Sequence, residues 1–296
     1  PSDFLMEYCE IKNKISQYVF ENYEEPSNYE HLVAVQKLLQ KIKNRTLCVD
    51  HKDCKELFLS SSGRGAINNL LKGPRHLDYN LFGTVTGRLT AGHTSFPILT
   101  LKKQFRTLIK PHNDWFVSLD YNGAEIRTFL ALSDFQQPPY DVHEWNIKNI
   151  FKNVGMSRDE AKTVFFAWLY NPDSNVIDAP QYDRNKLLKV WYNDGSVNTP
   201  FGRQIPVEER KAFNYLIQST TADLVLDRAV AIDKILEGKK SFVSHIVHDE
   251  IVIDLVDEER QLLPQIKEVF ADNKLATYQV NVGCGRNYGE LKELSI

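Results

Sequence analysis

Two aspartates stand where apolar stretches of the chain end or turn. Asp120 follows the apolar run in "WFVSLDYNG", and Asp249 interrupts "FVSHIVHDEIVIDL" at its centre. A carboxylate among apolar residues is costly unless it has a partner. Carboxylate oxygens suit Mg²⁺, and two ions can stabilise both the attacking and the leaving oxygen of a phosphoryl transfer. The pair therefore indicates metal-assisted phosphoryl transfer, although each aspartate alone is more typical of a turn or a cap.

A second set of residues repeats at four-residue spacing. Arg158, Lys162, Phe166 and Tyr170 lie on one stripe if "SRDEAKTVFFAWLY" is a helix. The two cations could clamp a triphosphate, and the two rings could form a platform for a base or a sugar. The alternative is a helix that packs its aromatic face into a core and leaves its cations in solvent.

The elements that position these residues can be read from periodicity. The sequence predicts a strand at 116–119, helices at 124–132, 157–170 and 210–236, a hairpin at 242–255 and a helix interrupted near Pro264. Ser157 and Glu160 have the spacing of a capping box, which favours a helix start there. Asp120 then lies at a strand end, where sheets usually present chemistry.

Residues 1 to about 75 are predicted to be mainly helical. In "HLVAVQKLLQKIKNR" the apolar residues have helical spacing, and four cations lie in its second half: Lys37, Lys41, Lys43 and Arg45. These cations form either a solvated basic face or a set of phosphate contacts along a nucleic-acid backbone.

Composition bounds the class of protein without choosing a function. The 296 residues carry a net charge of −3, which argues neither for nor against nucleic-acid binding. No run of about eighteen apolar residues occurs, so we expect no membrane span. The four cysteines lack CxxC spacing, which favours reduced thiols. Together with the lack of a signal sequence, this predicts a cytoplasmic location in a bacterial or virus-infected cell, with an organelle as the alternative.

Several motifs in one order carry a family resemblance. "SLDYNGAEIR" resembles motif A of family A DNA polymerases, "RDEAKTVFFAWLY" follows the R-x3-K-x3-F-x3-Y pattern of motif B, and "VHDEIV" resembles motif C. "TGRLT" at 86–90 and "IQSTTAD" at 217–223 are similar to two further motifs of that family. Over about residues 80–255, the chain thus resembles the polymerase portion of the DNA polymerase I class.

The resemblance implies an α+β fold shaped like a right hand. It assigns residues 1–75 to a partial helical thumb, 76–135 and 196–296 to a palm built on an antiparallel sheet, and 136–195 to short helical fingers. The implied activity is DNA-templated DNA synthesis from dNTPs on a primer–template. The implied cofactor is a pair of Mg²⁺ ions, with Mn²⁺ as a substitute. We expect a monomer, with an accessory processivity factor as a further partner.

The resemblance also assigns the catalytic centre. Asp120 and Asp249 would be metal ligands, together with the backbone carbonyl of Tyr121. Arg158 and Lys162 would bind the triphosphate of the incoming nucleotide, and Lys162 would also be placed to protonate the pyrophosphate.

The nucleotide and duplex contacts follow in the same way. Phe166 and Tyr170 would shape the nucleotide pocket, and Glu125 beside Tyr170 would be the steric gate that excludes a 2′-hydroxyl. Arg88 and Gln218 would probe the minor groove of the new base pair.

Two neighbours of Asp249 have different implied roles. His248 would lie near the primer terminus, and Glu250 would support the site without being an obligatory ligand. The thumb cations described above would contact DNA phosphates without reading sequence.

The chain departs from the family pattern at several places. Asn171 follows Tyr170 where glycine is usual, Gly123 replaces a common glutamine, "SFPILT" replaces a template-side stretch, and the fingers are short. These departures leave two alternatives open: a duplex-binding module without turnover, and a single-subunit RNA polymerase. A bulky Glu125 argues against the second.

Overall fold

The computed structural model describes residues 2–52, 59, 61–152 and 155–296. Cys54 lies outside them, and the other three cysteines are free. No helix of the described residues is long and apolar enough to span a membrane.

Among the described residues, more lie in helices than in strands. The helices are α1 (Ser2–Asn22), α2 (Tyr29–Lys43), α3 (Ser61–Lys72), α4 (Ala124–Leu132), α5 (Val142–Asn146), α6 (Arg158–Tyr170), α7 (Arg184–Trp191), α8 (Glu209–Ile235) and α9 (Leu263–Ala271). The strands are β1 (Cys48–Val49), β2 (Tyr79–Asn80), β3 (Thr90–Ala91), β4 (Ile109–Lys110), β5 (Trp115–Tyr121), β6 (Tyr192–Asn193), β7 (Ser196–Asn198), β8 (Gln204–Pro206), β9 (Phe242–Val247), β10 (Glu250–Leu255), β11 (Val280–Gly285) and β12 (Lys292–Glu293). Each predicted element is present within a few residues of its expected bounds.

The central sheet has the strand order β12-β11-β5-β10-β9, and every neighbouring pair is antiparallel. The β9–β10 hairpin turns on two residues, and His248 takes the left-handed conformation with φ 58° that such a tight turn requires. Glu250 is already part of β10. The turn therefore contains two residues and not all three of the polar residues that the sequence suggested. The predicted α+β class is confirmed.

Two hydrophobic cores share one helix. The first core contains the central sheet, α9, α2 and the C-terminal half of α8. The second contains α4, α6, α7 and the N-terminal half of α8. α8 therefore buries different residues along its two halves, which is why its sequence does not show one apolar stripe.

The N-terminal helices differ in their packing. α2 buries Val35, Leu38, Leu39 and Ile42 in the same core as the sheet. α1 buries no residue. The division of the chain into thumb, palm and fingers stays a prediction.

The position of Pro264 explains why the predicted helix is interrupted there. Residues Asp257–Leu262 form a 3₁₀ helix, and α9 begins at Leu263 with Pro264 in its first turn. Proline is tolerated there because the first N–H groups of an α-helix have no intrahelical acceptor.

A buried ion pair joins "FGRQIP" to "IQSTTAD". The Arg203 guanidinium donates to both carboxylate oxygens of Asp223, at 2.9 and 2.7 Å. Burial raises the pKa of Asp223, but the hydrogen bonds from Arg203 and the nearby His31 imidazole outweigh this effect and hold the pKa below its usual range. A Cβ at Gly87 in "TGRLT" would come within 2.5 Å of this guanidinium. The ion pair therefore leaves no space for a side chain at that position of the loop.

Breaking this pair is expected to be strongly destabilising. Arg203→Met should lower the free energy of unfolding by about 3–5 kcal/mol, because it leaves the Asp223 carboxylate buried without its cation. Urea unfolding followed by circular dichroism measures the change. Arg210→Met is the matched control, because its partner Asp173 is exposed and such a pair contributes at most about 1 kcal/mol. Equal effects of the two substitutions would contradict the assignment.

Candidate active site

Antiparallel pairing brings Asp120 and Asp249 together. β5 and β10 are neighbours in the sheet, and Glu250 stands opposite Asp120. Asp249 precedes Glu250 in the hairpin turn, so both aspartates line one cleft of about 410 Å³. The predicted juxtaposition of these residues is therefore observed.

The electrostatics of this pair favour a bound cation. Burial raises the pKa of Asp120 to about 7, and the nearby Asp249 and Glu250 carboxylates add to the rise. Burial also raises the pKa of Asp249, although His248, Arg88 and Lys162 act in the opposite direction. Like charges held this close are relieved by a divalent ion.

The described residues contain no group of three or more His, Cys, Asp or Glu side chains that could hold a metal. Any ion here would therefore need backbone, substrate or water oxygens as well.

Tyr121, the third predicted ligand, is held rigidly. Its hydroxyl donates to the carbonyl of Phe270 at 2.6 Å, and the two rings stack with centroids 4.0 Å apart. The side chain is thus committed to the core, and only the backbone carbonyl is left for the predicted ligand role.

Glu250 is held by two hydroxyl groups. Ser118 Oγ donates to one carboxylate oxygen and the Tyr288 hydroxyl to the other, both at 2.6 Å. These bonds orient Glu250 beside the pair, which suits its predicted supporting role.

Helix α6 presents the predicted stripe to the cleft. The capping box of Ser157 and Glu160 is present, as the spacing predicted. All four stripe residues line the cleft, and the Phe166 and Tyr170 rings stack with centroids 6.0 Å apart. A different face of α6 is buried, and its residues are Ala161, Phe165, Trp168 and Leu169, of which the last three belong to the second core. Phe166 of the stripe is half-buried and also packs against that core, whereas Tyr170 and the two cations are exposed. The stripe therefore lines the cleft while one of its rings also contacts the core.

Arg158 is oriented by a carboxylate on the neighbouring helix. Its Nε and Nη2 donate to Asp141 Oδ2 at 3.0 and 2.8 Å. Partial burial raises the pKa of Asp141, but hydrogen bonds from Arg158, Asn122 and the Glu144 amide lower it to about 2. Asp141 also caps α5, so one side chain fixes the starts of two helices.

Glu125 sits at the centre of a polar cluster. Tyr170 donates its hydroxyl to Oε2 at 2.6 Å, and Arg88 forms an ion pair with Oε1. Burial raises the pKa of Glu125 in spite of these two donors. The predicted contact between Glu125 and Tyr170 is therefore observed, and Arg88 is engaged by the same carboxylate.

Two side chains at the cleft were not found from the sequence. His143 lines it, and burial lowers the pKa of this imidazole to about 4, so it is neutral at physiological pH. Asn281 on β11 stands opposite Asp120 and donates a hydrogen bond that favours the ionised carboxylate. The signal in the sequence near His143 is Asp141, two residues before it, which is typical of a helix cap.

Gly123 makes room for the neighbouring helix. Its φ is 68°, and a Cβ there would come within 2.5 Å of Val142 and 3.7 Å of His143 Nε2. Glutamine is common at this position in the family that the motifs resemble. Here Val142 of α5 occupies the space that such a side chain would fill.

The predicted DNA contacts fall into two groups. Arg88, Gln218 and His248 line the cleft. On α2 and after it, three of the four cations contact protein groups: Lys41 pairs with Asp233 at 2.6 Å, Lys43 pairs with Asp78 at 2.9 Å, and Arg45 lies 4.2 Å from the centroid of Phe242. Lys37 is exposed. The structure does not test their role on DNA.

Comparison with known proteins places this cleft in a wider context. No family model matches the chain. The thermostable DNA polymerase I of Thermus aquaticus is 27% identical over 75% of this chain and 33% of its own length. DNA polymerase I of a Synechocystis strain is 24% identical over 71% of this chain and 28% of its own length. The chain therefore spans about a third of these relatives.

A solved structure extends the likeness to the fold. The POL domain of Pol1 from M. smegmatis, in complex with DNA primer–template and dNTP, superposes with a TM-score of 0.61 and 18% identity. The match covers 81% of this chain and 52% of that one. The chain is thus similar in sequence to these DNA polymerases I and similar in fold to the POL domain, as its motifs predicted.

Proposed function

We propose that the chain is a DNA-directed DNA polymerase that extends a primer with dNTPs on a DNA template. The observation that carries this proposal is the single cleft in which Asp120 and Asp249 face the stripe of α6. That arrangement combines an anion clamp, an aromatic platform and two hard oxygen ligands.

The reaction would be a nucleotidyl transfer. The primer 3′-hydroxyl would give its proton to a water molecule, and its oxygen would form a bond to the α-phosphorus of the dNTP. The bond from that phosphorus to the bridging oxygen would break, and pyrophosphate would leave. Positioning and charge neutralisation supply most of the catalysis in such a transfer.

The chain's own residues divide this work. Asp120, Asp249 and the Tyr121 carbonyl would hold Mg²⁺, with Mn²⁺ as a substitute. When bound, the ions would neutralise charge on the attacking and leaving oxygens. Arg158, oriented by Asp141, would grip the triphosphate with Lys162, and Lys162 would supply a proton to the departing pyrophosphate.

The remaining contacts select the substrates. Phe166 and Tyr170 would hold the base and sugar of the dNTP, while Glu125 would leave no space for a 2′-hydroxyl. Arg88 and Gln218 would contact the minor groove of the nascent pair, and His248 would lie beside the primer end. A monomeric state, an accessory processivity factor and a cytoplasmic location remain part of the proposal.

Primer extension tests the proposal directly. A labelled primer on a defined template should lengthen in single-nucleotide steps with Mg²⁺ and the four dNTPs, and it should release one pyrophosphate per step. Normal primer–template binding without pyrophosphate release would favour the binding module instead. Equal use of rNTPs would favour an RNA polymerase.

Binding of the duplex is expected to weaken steeply with salt. Each phosphate neutralised by a cation contributes a slope of about −0.9 in a plot of log affinity against log salt concentration for B-form DNA. Lys37→Ala should reduce that slope by about 1, measured by fluorescence anisotropy from 50 to 200 mM salt. Lys189→Ala, on the exposed side of α7, is the control. An affinity that stays flat with salt would contradict phosphate binding by this chain.

A further inference from the structure

Helix α6 ends in an unusual way for a chain with these motifs. An α-helix leaves its last carbonyls without intrahelical donors, and a glycine in the left-handed conformation commonly solves this problem. Here Asn171 follows the helix with φ −103° and ψ 105°, which is extended backbone. The ending must therefore be stabilised by other groups.

Arg184 supplies a donor to one of the last four carbonyls of α6 and to two carbonyls just beyond the helix. Its Nη1 donates to the carbonyls of Asn171 and Pro172, at 3.0 and 3.1 Å, and its Nη2 donates to the carbonyl of Trp168. The guanidinium also stacks 3.9 Å from the centroid of the Trp168 ring. A cation at this end is further favoured by the helix dipole.

The position of Arg184 is itself fixed. It is the first residue of α7, and Asp183 caps that helix by accepting from the Lys186 amide at 3.0 Å. Burial lowers the pKa of Arg184 to about 10, which leaves it a cation at neutral pH. The connection between α6 and α7 thus ends in a rigid donor that points at the end of α6.

The same helix end carries a cleft residue. Tyr170 is the last residue of α6, and its hydroxyl donates to Glu125. Asn214 on α8 donates to the Tyr170 carbonyl at 3.4 Å. Loosening of the last turn would therefore move the aromatic ring that holds the Glu125 carboxylate.

We propose that Arg184 is a positioning residue that replaces the usual glycine ending of α6 and, by fixing Tyr170 against Glu125, sharpens the choice of deoxyribose over ribose. The proposal rests on the function proposed above for its last step. Arg184 need not touch substrate, because it acts through Tyr170.

The experiment compares Arg184→Met with a rescue and a control. Methionine keeps much of the side-chain bulk but removes every donor. We expect about tenfold faster hydrogen exchange at the amides of residues 169–171 and about tenfold lower discrimination between dNTP and rNTP, the scale of one well-placed cation at a helix end. Adding Asn171→Gly should restore both, because glycine can adopt the left-handed ending. Lys189→Met on the same helix should change neither.

Each outcome decides a separate point. Unchanged exchange and discrimination in Arg184→Met would overturn the proposal. Loss of both without rescue by Asn171→Gly would also overturn it, since Arg184 would then serve only general stability. If the parent chain extends no primer, the proposed function fails, while hydrogen exchange still shows whether Arg184 terminates α6.

Discussion

Asp249→Asn is expected to lower the rate of primer extension by about 1000-fold. The asparagine is close to aspartate in shape, but it removes the negative charge that would hold a divalent ion opposite Asp120. Loss of several kcal/mol of charge stabilisation in the transition state corresponds to a rate change of this size. Single-turnover extension of a primer by one nucleotide, with Mg²⁺ and saturating dNTP, measures it.

The stability of this variant provides its control. Burial raises the pKa of Asp249, so the ionised carboxylate is unfavourable in the folded chain at neutral pH. Its neutral replacement should therefore melt at the same temperature as the parent or higher. Glu250→Gln is the matched neighbour and should slow extension by only about tenfold, because the role proposed for Glu250 is to support the site without being an obligatory ligand. An Asp249→Asn variant that extends primers as fast as the parent would refute the metal assignment.

Glu125→Ala is expected to lower the preference for dNTP over rNTP by about 100-fold or more. The selection would come from a steric element that rejects the 2′-hydroxyl, and a cavity in its place accepts ribose. The ratio of kcat/KM for dATP and ATP opposite template thymine measures the change.

Tyr170→Phe is the matched control for the gate. It keeps the ring and its stacking on Phe166 but removes the hydroxyl that holds Glu125. We expect a smaller loss of discrimination, about tenfold, because the carboxylate stays in place but is less well oriented. If Glu125→Ala discriminates as well as the parent, the gate lies elsewhere.

Local elements of the site could be predicted because local patterns specify them. The capping box of Ser157 and Glu160 fixed the start of α6, and the β-branched residues around Asp249 indicated the hairpin. The proximity of Asp120 and Asp249 could not be derived from periodicity. These two residues approach each other because strands that are far apart in the sequence pair in the sheet. Their residue types suggested a metal-binding pair, but the resemblance was needed to assign both aspartates to one catalytic centre.

The rest depended on contacts that leave no periodic signal. Val142, the neighbour of His143, packs where a side chain at Gly123 would lie, and nothing in the sequence near either residue indicates this contact. The ion pair of Arg203 with Asp223 is likewise a long-range contact between two motifs. Asn171 was recognisable as a departure, but the compensating Arg184 lies in a segment without family motifs.

The helix shared by the two cores constrains how the cleft wall can move. α6 packs in the second core against the N-terminal half of α8, and the other half of α8 is packed in the core of the sheet that carries Asp120. Contacts along α8 therefore connect the wall that carries α6 to the sheet that carries Asp120. We expect a movement of Arg158 or Tyr170 toward the aspartates to be accompanied by small sliding of the packed helices, which is a shear movement. Side-chain changes on the part of α8 that does not line the cleft then become a means of altering the rate of the proposed reaction.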